Sequence, residues 1–134
     1  MGISTANINV GATSVASTGG TASSFTSLGD SIDRNEVFFD STSIVDRKTC
    51  SFSTSQPKIN ASSPDGYTQG RSKFTLRYPI VLADGVTWTT CTFKAELATS
   101  VEMSTAEMDD MRYLSAQILA DSDFDSFFNS LSVA

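Results

Sequence analysis

Residues 71–78, RSKFTLRY, alternate without a slip between polar and apolar side chains. Arg71, Lys73, Thr75 and Arg77 occupy one parity, and Phe74, Leu76 and Tyr78 the other. A β-strand repeats every two residues, so this spacing predicts a strand with a basic, hydroxyl-bearing face and an apolar face.

Two further segments have the same sidedness. Across residues 45–53, Val45, Arg47, Thr49, Ser51 and Ser53 share a side opposite Cys50 and Phe52. Across residues 87–97, Cys91, Phe93, Ala95 and Leu97 form the apolar side, and Trp88, Thr90, Thr92, Lys94 and Glu96 form the other. If the three strands share a sheet their apolar sides must coincide, because a one-residue slip turns a whole apolar set to water. The opposite face then gathers Arg47, Arg71, Lys73, Arg77 and Lys94 among hydroxyls, with the single tryptophan, Trp88.

Any half-exposed antiparallel sheet alternates in this way. The sign of the charge is what sets this one apart. The chain carries a net charge of −6, yet residues 46–95 hold seven Lys/Arg against three Asp, a net of +4. Residues 1–45 carry −3 and residues 96–134 carry −7. An acidic chain that concentrates positive charge on one surface points to a polyanionic partner.

Around these strands the sequence predicts an α+β pattern. The first thirty residues are rich in Ser, Thr, Gly and Ala, and Ile8, Val10, Phe25 and Leu28 flank Gly19-Gly20, so an N-terminal hairpin is expected over 1–30. NEVFFDS at 35–41 reads as a strand with Val37 and Phe39 on one side, residues 55–70 as a long loop, and the Asp84-Gly85 pair as a short hairpin turn. The antiparallel sheet is expected over 34–101. From Ser104 the period changes: Ser104-Thr105-Ala106-Glu107 is a capping box, and Met108, Met111, Leu114, Ile118 and Leu119 form a helical apolar stripe. A second short helix is expected from about Ser122, with Phe124, Phe127, Phe128 and Leu131 at i, i+3, i+4 and i+7, so the two helices span 104–132.

A chain of 134 residues fits a single domain, 1–134, with a modest core. A first helix of about 17 residues is about 25 Å long and, with one short helix, covers five strands only thinly. The aromatic-rich terminal helix therefore predicts a homodimer, with Met108, Met111, Leu114, Ile118, Phe124, Phe127, Phe128 and Leu131 at the interface. Cys50 and Cys91 both fall on apolar sides, where free thiols pack as small hydrophobes. No run approaches a membrane span, and MGISTANINVG has neither the basic region nor the apolar core of a secretory signal, so synthesis without export is expected. Ala6 also breaks the myristoylation pattern.

Catalysis finds little support. Gly29-Asp30-Ser31 looks like an esterase nucleophile block, but the chain has no histidine to take the serine proton, and Gly-Asp-Ser is common turn chemistry. Asp121, Asp123 and Asp125 open like a calcium loop, yet Ser126 stands where glycine is needed and Ser132 where glutamate is needed, so helix capping explains them better. Two cysteines make no zinc set. The expectation is no enzyme, no cofactor and no metal. What remains is RNA, whose phosphates take Arg and Lys, whose hydroxyls take Ser and Thr, and whose unpaired bases stack on an aromatic such as Trp88.

The segments RKTCSFS (47–53), KFTLRYP (73–79) and STAEMDDMRYLSAQILADSDFDSFFNSL (104–131), with the order of elements and the chain length, resemble the coat proteins of the single-stranded RNA bacteriophages, the leviviruses. The resemblance implies a homodimer with a ten-stranded sheet facing the capsid interior and interlocked helices outside. It implies assembly into a quasi-equivalent (T=3) icosahedral shell in the host bacterial cytoplasm, a virion location, and binding of single-stranded genomic RNA and of an RNA hairpin that represses translation. Membrane and DNA are not implied partners. RNA-contacting positions carry over onto Thr49, Ser51, Thr75, Arg77, Thr90 and Thr92, with Thr90 where the family often has a stacking tyrosine. The loop between Leu82 and Val86 is short for the family. Two other readings are a β-rich adhesin or pilin-like surface protein, which the Ser/Thr/Gly-rich start suits, and a small RNA-binding domain that does not assemble.

Overall fold

A computed structural model describes residues 5–133. The chain divides into two compact units, Gly20–Glu102 on one hand and, on the other, the segment up to Gly19 with the chain from Met103 onward.

The first unit is a five-stranded antiparallel sheet in simple sequence order: β1 (Thr26–Ser31), β2 (Arg34–Phe39), β3 (Lys48–Ser55), β4 (Gly70–Val81) and β5 (Trp88–Thr99). Its register puts like beside like. Cys50 faces Leu76, which faces Phe93, and Phe52 faces Phe74, which faces Ala95. A row of rings crosses the apolar side, with centroids 5.3 Å apart for Phe25–Phe39, 6.3 Å for Phe25–Phe52, 6.4 Å for Phe52–Phe74 and 6.2 Å for Phe74–Phe93. Such aromatic neighbours favour one register over its neighbours.

The hairpin expected over 1–30 around Gly19-Gly20 does not form: among the described residues no strand precedes Thr26, and the first hairpin, β1–β2 around Ile32-Asp33, belongs to the five-stranded sheet. Both of those glycines have positive φ, but the residues beside them are small and mostly hydroxylic, with no alternating apolar set to hold a register. Residues 1–4 of that expected hairpin lie outside the described residues.

Between β3 and β4 the 55–70 loop is ordered by its own small ladder: Ile59 bridges Tyr67, Thr68 donates its N–H to the Lys58 carbonyl at 2.7 Å, and Asn60 donates to the Gly66 carbonyl at 2.8 Å. The Asp65 carboxylate accepts the Ser100 hydroxyl, which ties the loop to the end of β5. In the short turn before β5, Asp84 accepts N–H bonds from Val86 (3.0 Å) and Thr87 (2.8 Å), and Gly85 takes φ +76. That turn chemistry matches the Asp-Gly signal.

In the second unit α1 (Thr105–Ala120) begins at the expected capping box: Glu107 donates its N–H to the Ser104 hydroxyl at 3.2 Å, and its carboxylate accepts the Ser104 N–H at 3.2 Å. A 3-10 turn (Ser122–Phe124) leads into α2 (Asp125–Ser130). Asp121 caps that turn by accepting the Asp123 N–H, as the capping reading expected. The early chain runs along α1. Asn9 exchanges two hydrogen bonds with the Gln117 side-chain amide, at 2.6 and 2.9 Å, and Gly11 donates to Asp110 at 2.9 Å.

Among the described residues the buried apolar side chains are Val37, Cys50 and Phe124. Met108, Met111 and Leu114 are half-buried, while Ile118, Phe127 and Phe128 are exposed. Two expectations need correction. Leu131 lies beyond the stripe of α2: it ends the helix with φ +55 and is 90% exposed. Cys91 is on the apolar side, opposite Tyr78, but is exposed because β5 is an edge strand with no neighbour beyond it in the sheet. Both cysteines are free, and burial raises the Cys50 thiol above its ordinary pKa.

Candidate nucleic-acid interface

The polar parity of the sheet forms rows across β3, β4 and β5: Thr49–Arg77–Thr92, Ser51–Thr75–Lys94 and Ser53–Lys73–Glu96, with Ser55–Arg71–Ala98 at one end. Neighbours within a row are about 4.8 Å apart and successive rows about 7 Å apart. At the opposite end of β5's pairing Trp88 faces Val81 in the last pair, and Thr90 faces Pro79 two positions in. The sequence-predicted residues Thr49, Ser51, Arg71, Lys73, Thr75, Arg77, Trp88, Thr90, Thr92 and Lys94 therefore share one face. Arg47 lies just before β3, its guanidinium 4.6 Å from the Phe38 ring centroid.

β2 extends this face with Arg34, Glu36 and Phe38, opposite Ser53, Ser51 and Thr49. Sequence reasoning assigned Val37 and Phe39 to the apolar side and did not follow the other parity, which carries these three. Lys48 is on the apolar side, paired with Asp40 and 4.6 Å from the Tyr78 ring centroid. It adds nothing to the basic face.

The cations on the polar side differ in how they are held. Arg34 pairs with Glu36 at 3.0 Å, and Arg71 pairs diagonally with Glu96. Arg77 donates to the Ser51 hydroxyl at 2.9 Å, and Ser51 donates to Glu36 at 3.0 Å. The bond from Arg34, then that from Ser51, holds the Glu36 carboxyl below the ordinary range, with the charge of Arg77 acting in the same direction. Lys73 and Lys94 have no carboxylate partner among the described residues. Ser51 is the one expected contact that offers no free hydroxyl, since it is 8% exposed and bonded on both sides. Trp88, at 43% exposed, leaves ring surface open to a base. Six cations against two carboxylates give the face a positive field.

No protein-family model matches the chain, and no curated protein does. Among solved structures it is similar to the virus-like particle of bacteriophage GQ-907, with 25% identity over 98% of this chain and 99% of that one, at a TM-score of 0.85. Over nearly its whole length the chain has the fold of a phage virus-like-particle protein, which supports the resemblance to the levivirus coat proteins. Two more distant structures share the coat-protein fold: the virus-like particle of Beihai levi-like virus 21 (17% identity, 82% of this chain and 86% of that one, TM-score 0.65) and that of bacteriophage AVE019 (10%, 84% and 88%, 0.65). In this chain the expected five-stranded antiparallel sheet and two C-terminal helices are both found.

Proposed function

We propose that this chain is a coat protein that assembles through homodimers into an icosahedral shell and holds single-stranded genomic RNA against the polar face of its sheet. One observation carries the reading. A chain similar over 98% of its length to the protein of a phage virus-like particle turns a net-positive sheet face outward from its ring row, with Lys73 and Lys94 unpaired on it. Arg47, Lys73, Arg77 and Lys94 serve the phosphates, Thr49, Thr75, Thr90 and Thr92 the sugars and base edges, and Trp88 a stacked base.

The edges and the exposed apolar surface support the homodimer. β1 is six residues long and interrupted by an irregularity at Leu28, whereas β5 offers twelve residues of unpaired edge. A long free edge is a template for another strand. Antiparallel pairing of β5 with its symmetry mate joins two five-stranded sheets into ten strands and keeps both polar faces on one side. The exposed rings of Phe127 and Phe128 and the half-buried Met108, Met111 and Leu114 then bury against the partner, and Cys91 is covered with the edge. The shell is of the T=3 class, forms in the bacterial cytoplasm and leaves with the virion. Recognition of an RNA hairpin, with translational repression, belongs to the same face.

Expression of the chain alone, followed by size exclusion with absorbance at 260 and 280 nm and electron microscopy, tests this. Particles carrying nucleic acid are expected. A small, nucleic-acid-free species under assembly conditions would overturn the shell and favour a non-assembling domain.

A further inference from the structure

The polar face contains one chain of hydrogen bonds that crosses three strands. Arg34 on β2 donates to Glu36 at 3.0 Å, Ser51 on β3 donates to the same Glu36 oxygen at 3.0 Å, and Arg77 on β4 donates to the Ser51 oxygen at 2.9 Å. The directions follow from the chemistry. A guanidinium only donates and a carboxylate only accepts, so the single hydroxyl between them must receive from Arg77 and give to Glu36. Ser51 is also the buried polar residue of the sheet, so water does not compete for it.

From this we infer that Glu36 and Ser51 are positioning and selectivity residues of the RNA face: Ser51 relays Glu36 to hold Arg77 in one orientation, and Glu36 occupies Arg34 so that phosphate is excluded from the β2 flank. The inference rests on the RNA-binding reading of this face. Arg77 spends one of its five N–H donors on Ser51 and keeps the rest of its planar fork for a phosphate or a base edge. Holding that fork in advance lowers the ordering cost of binding. The Glu36 carboxylate repels phosphate and neutralises the one cation of β2, so backbone contacts concentrate on Lys73, Arg77 and Lys94. Direct readout then weighs more, relative to unspecific attraction, than six free cations would allow.

The test uses intact dimers, a mixed-sequence single-stranded RNA oligonucleotide as probe, and a salt titration of affinity. Glu36→Gln keeps an acceptor for Ser51 and removes the charge. It is expected to tighten binding several-fold at low salt and to steepen the slope of log affinity against log salt by about 0.7, the increment for one more phosphate on a single strand. Ser51→Ala is expected to weaken binding several-fold with the slope unchanged, because the charge of Arg77 stays. In an Arg77→Ala background Ser51→Ala is expected to have no further effect, since the relay has lost its end. Ser51→Ala acting equally in both backgrounds would reduce Ser51 to a packing residue, and an unchanged slope in Glu36→Gln would overturn the exclusion of phosphate. If the wild type fails to bind the probe at low salt, it is the RNA-binding reading that falls. If the wild type binds and Lys73→Ala flattens the slope while the Glu36 and Ser51 variants behave as wild type, only the relay falls.

Discussion

The two unpaired lysines offer the sharpest check on which surface meets RNA. On one subunit's polar face, Arg47, Lys73, Arg77 and Lys94 have no carboxylate partner among the described residues, while Arg34 and Arg71 are held by Glu36 and Glu96. If each of the four neutralises one phosphate of a single strand, the slope of log affinity against log salt is about −2.8 for an oligonucleotide that occupies one face. Raising salt from about 50 to about 200 mM should then cost about 50-fold in affinity. In Lys73→Ala/Lys94→Ala two contacts are gone, the slope falls to about −1.4, and the same change of salt costs only about sevenfold.

Fluorescence anisotropy over a salt series reads this directly. Among the described residues neither lysine packs in a core or holds a carboxylate partner, so stability should change by no more than about 0.5 kcal/mol. Lys58→Ala, in the 55–70 loop and off the face, is the control and should leave the slope as it was. A double variant with the wild-type slope would mean that RNA lies elsewhere, and the assignment of the polar sheet face would be wrong.

Other expectations address the remaining parts of the molecule. Trp88 is the chain's one tryptophan, so its emission reports on the site alone: RNA should quench it, Trp88→Ala should cost about 1 to 3 kcal/mol of binding, and unchanged emission would exclude stacking. Phe124→Ala removes a buried ring and should cost about 3 to 5 kcal/mol in denaturant unfolding. Phe127→Ala, starting from an exposed ring, should instead raise the dimer dissociation constant, measured by sedimentation at several concentrations. Ser104→Ala should cost about 1 kcal/mol through loss of the cap of α1. The Ser104 hydroxyl, then its N–H, lowers the Glu107 carboxyl below its ordinary 4.5, so the native state holds fewer protons than the unfolded one as pH falls through that range. That contribution is complete above the ordinary value and lost through the lower folded value. Glu107→Gln should therefore show a smaller drop in denaturant midpoint between pH 7 and acid than the wild type.

Where one face is ringed with aromatics and the other with charges, the pattern was readable residue by residue. Strands β3, β4 and β5 carry that contrast, and so their sidedness and the shared face of ten candidate residues could be predicted. The start of α1 was equally legible, because a capping box specifies both of its bonds locally. β1 was not, since Thr26–Ser31 has no alternation and is held by backbone pairing to β2, around a turn that lacks glycine. The ion pairs of Arg34 and Arg71, and the Ser51 relay, were also hidden. They depend on which residues of separate strands stand diagonally or directly opposite, and that becomes known only once the register is fixed.

The two parities of β4 constrain each other, and this bears on how the RNA face can vary. The rings of Phe52, Phe74 and Phe93 fix the register from the apolar side, and any one-residue slip would bring them onto the polar face and send Lys73 and Arg77 among them. Substitutions at the odd positions 73, 75 and 77, or at the even positions 90, 92 and 94, leave those ring contacts alone. The polar face can therefore change its hydroxyls and charges while the strand pairing stays put. Only Ser51 breaks this independence, since it is buried on the polar side and bonded to two neighbouring strands. A change at Thr75 should alter which RNA is preferred and leave stability within about 0.5 kcal/mol, whereas a change at Ser51 should register in the orientation of Arg77 as well.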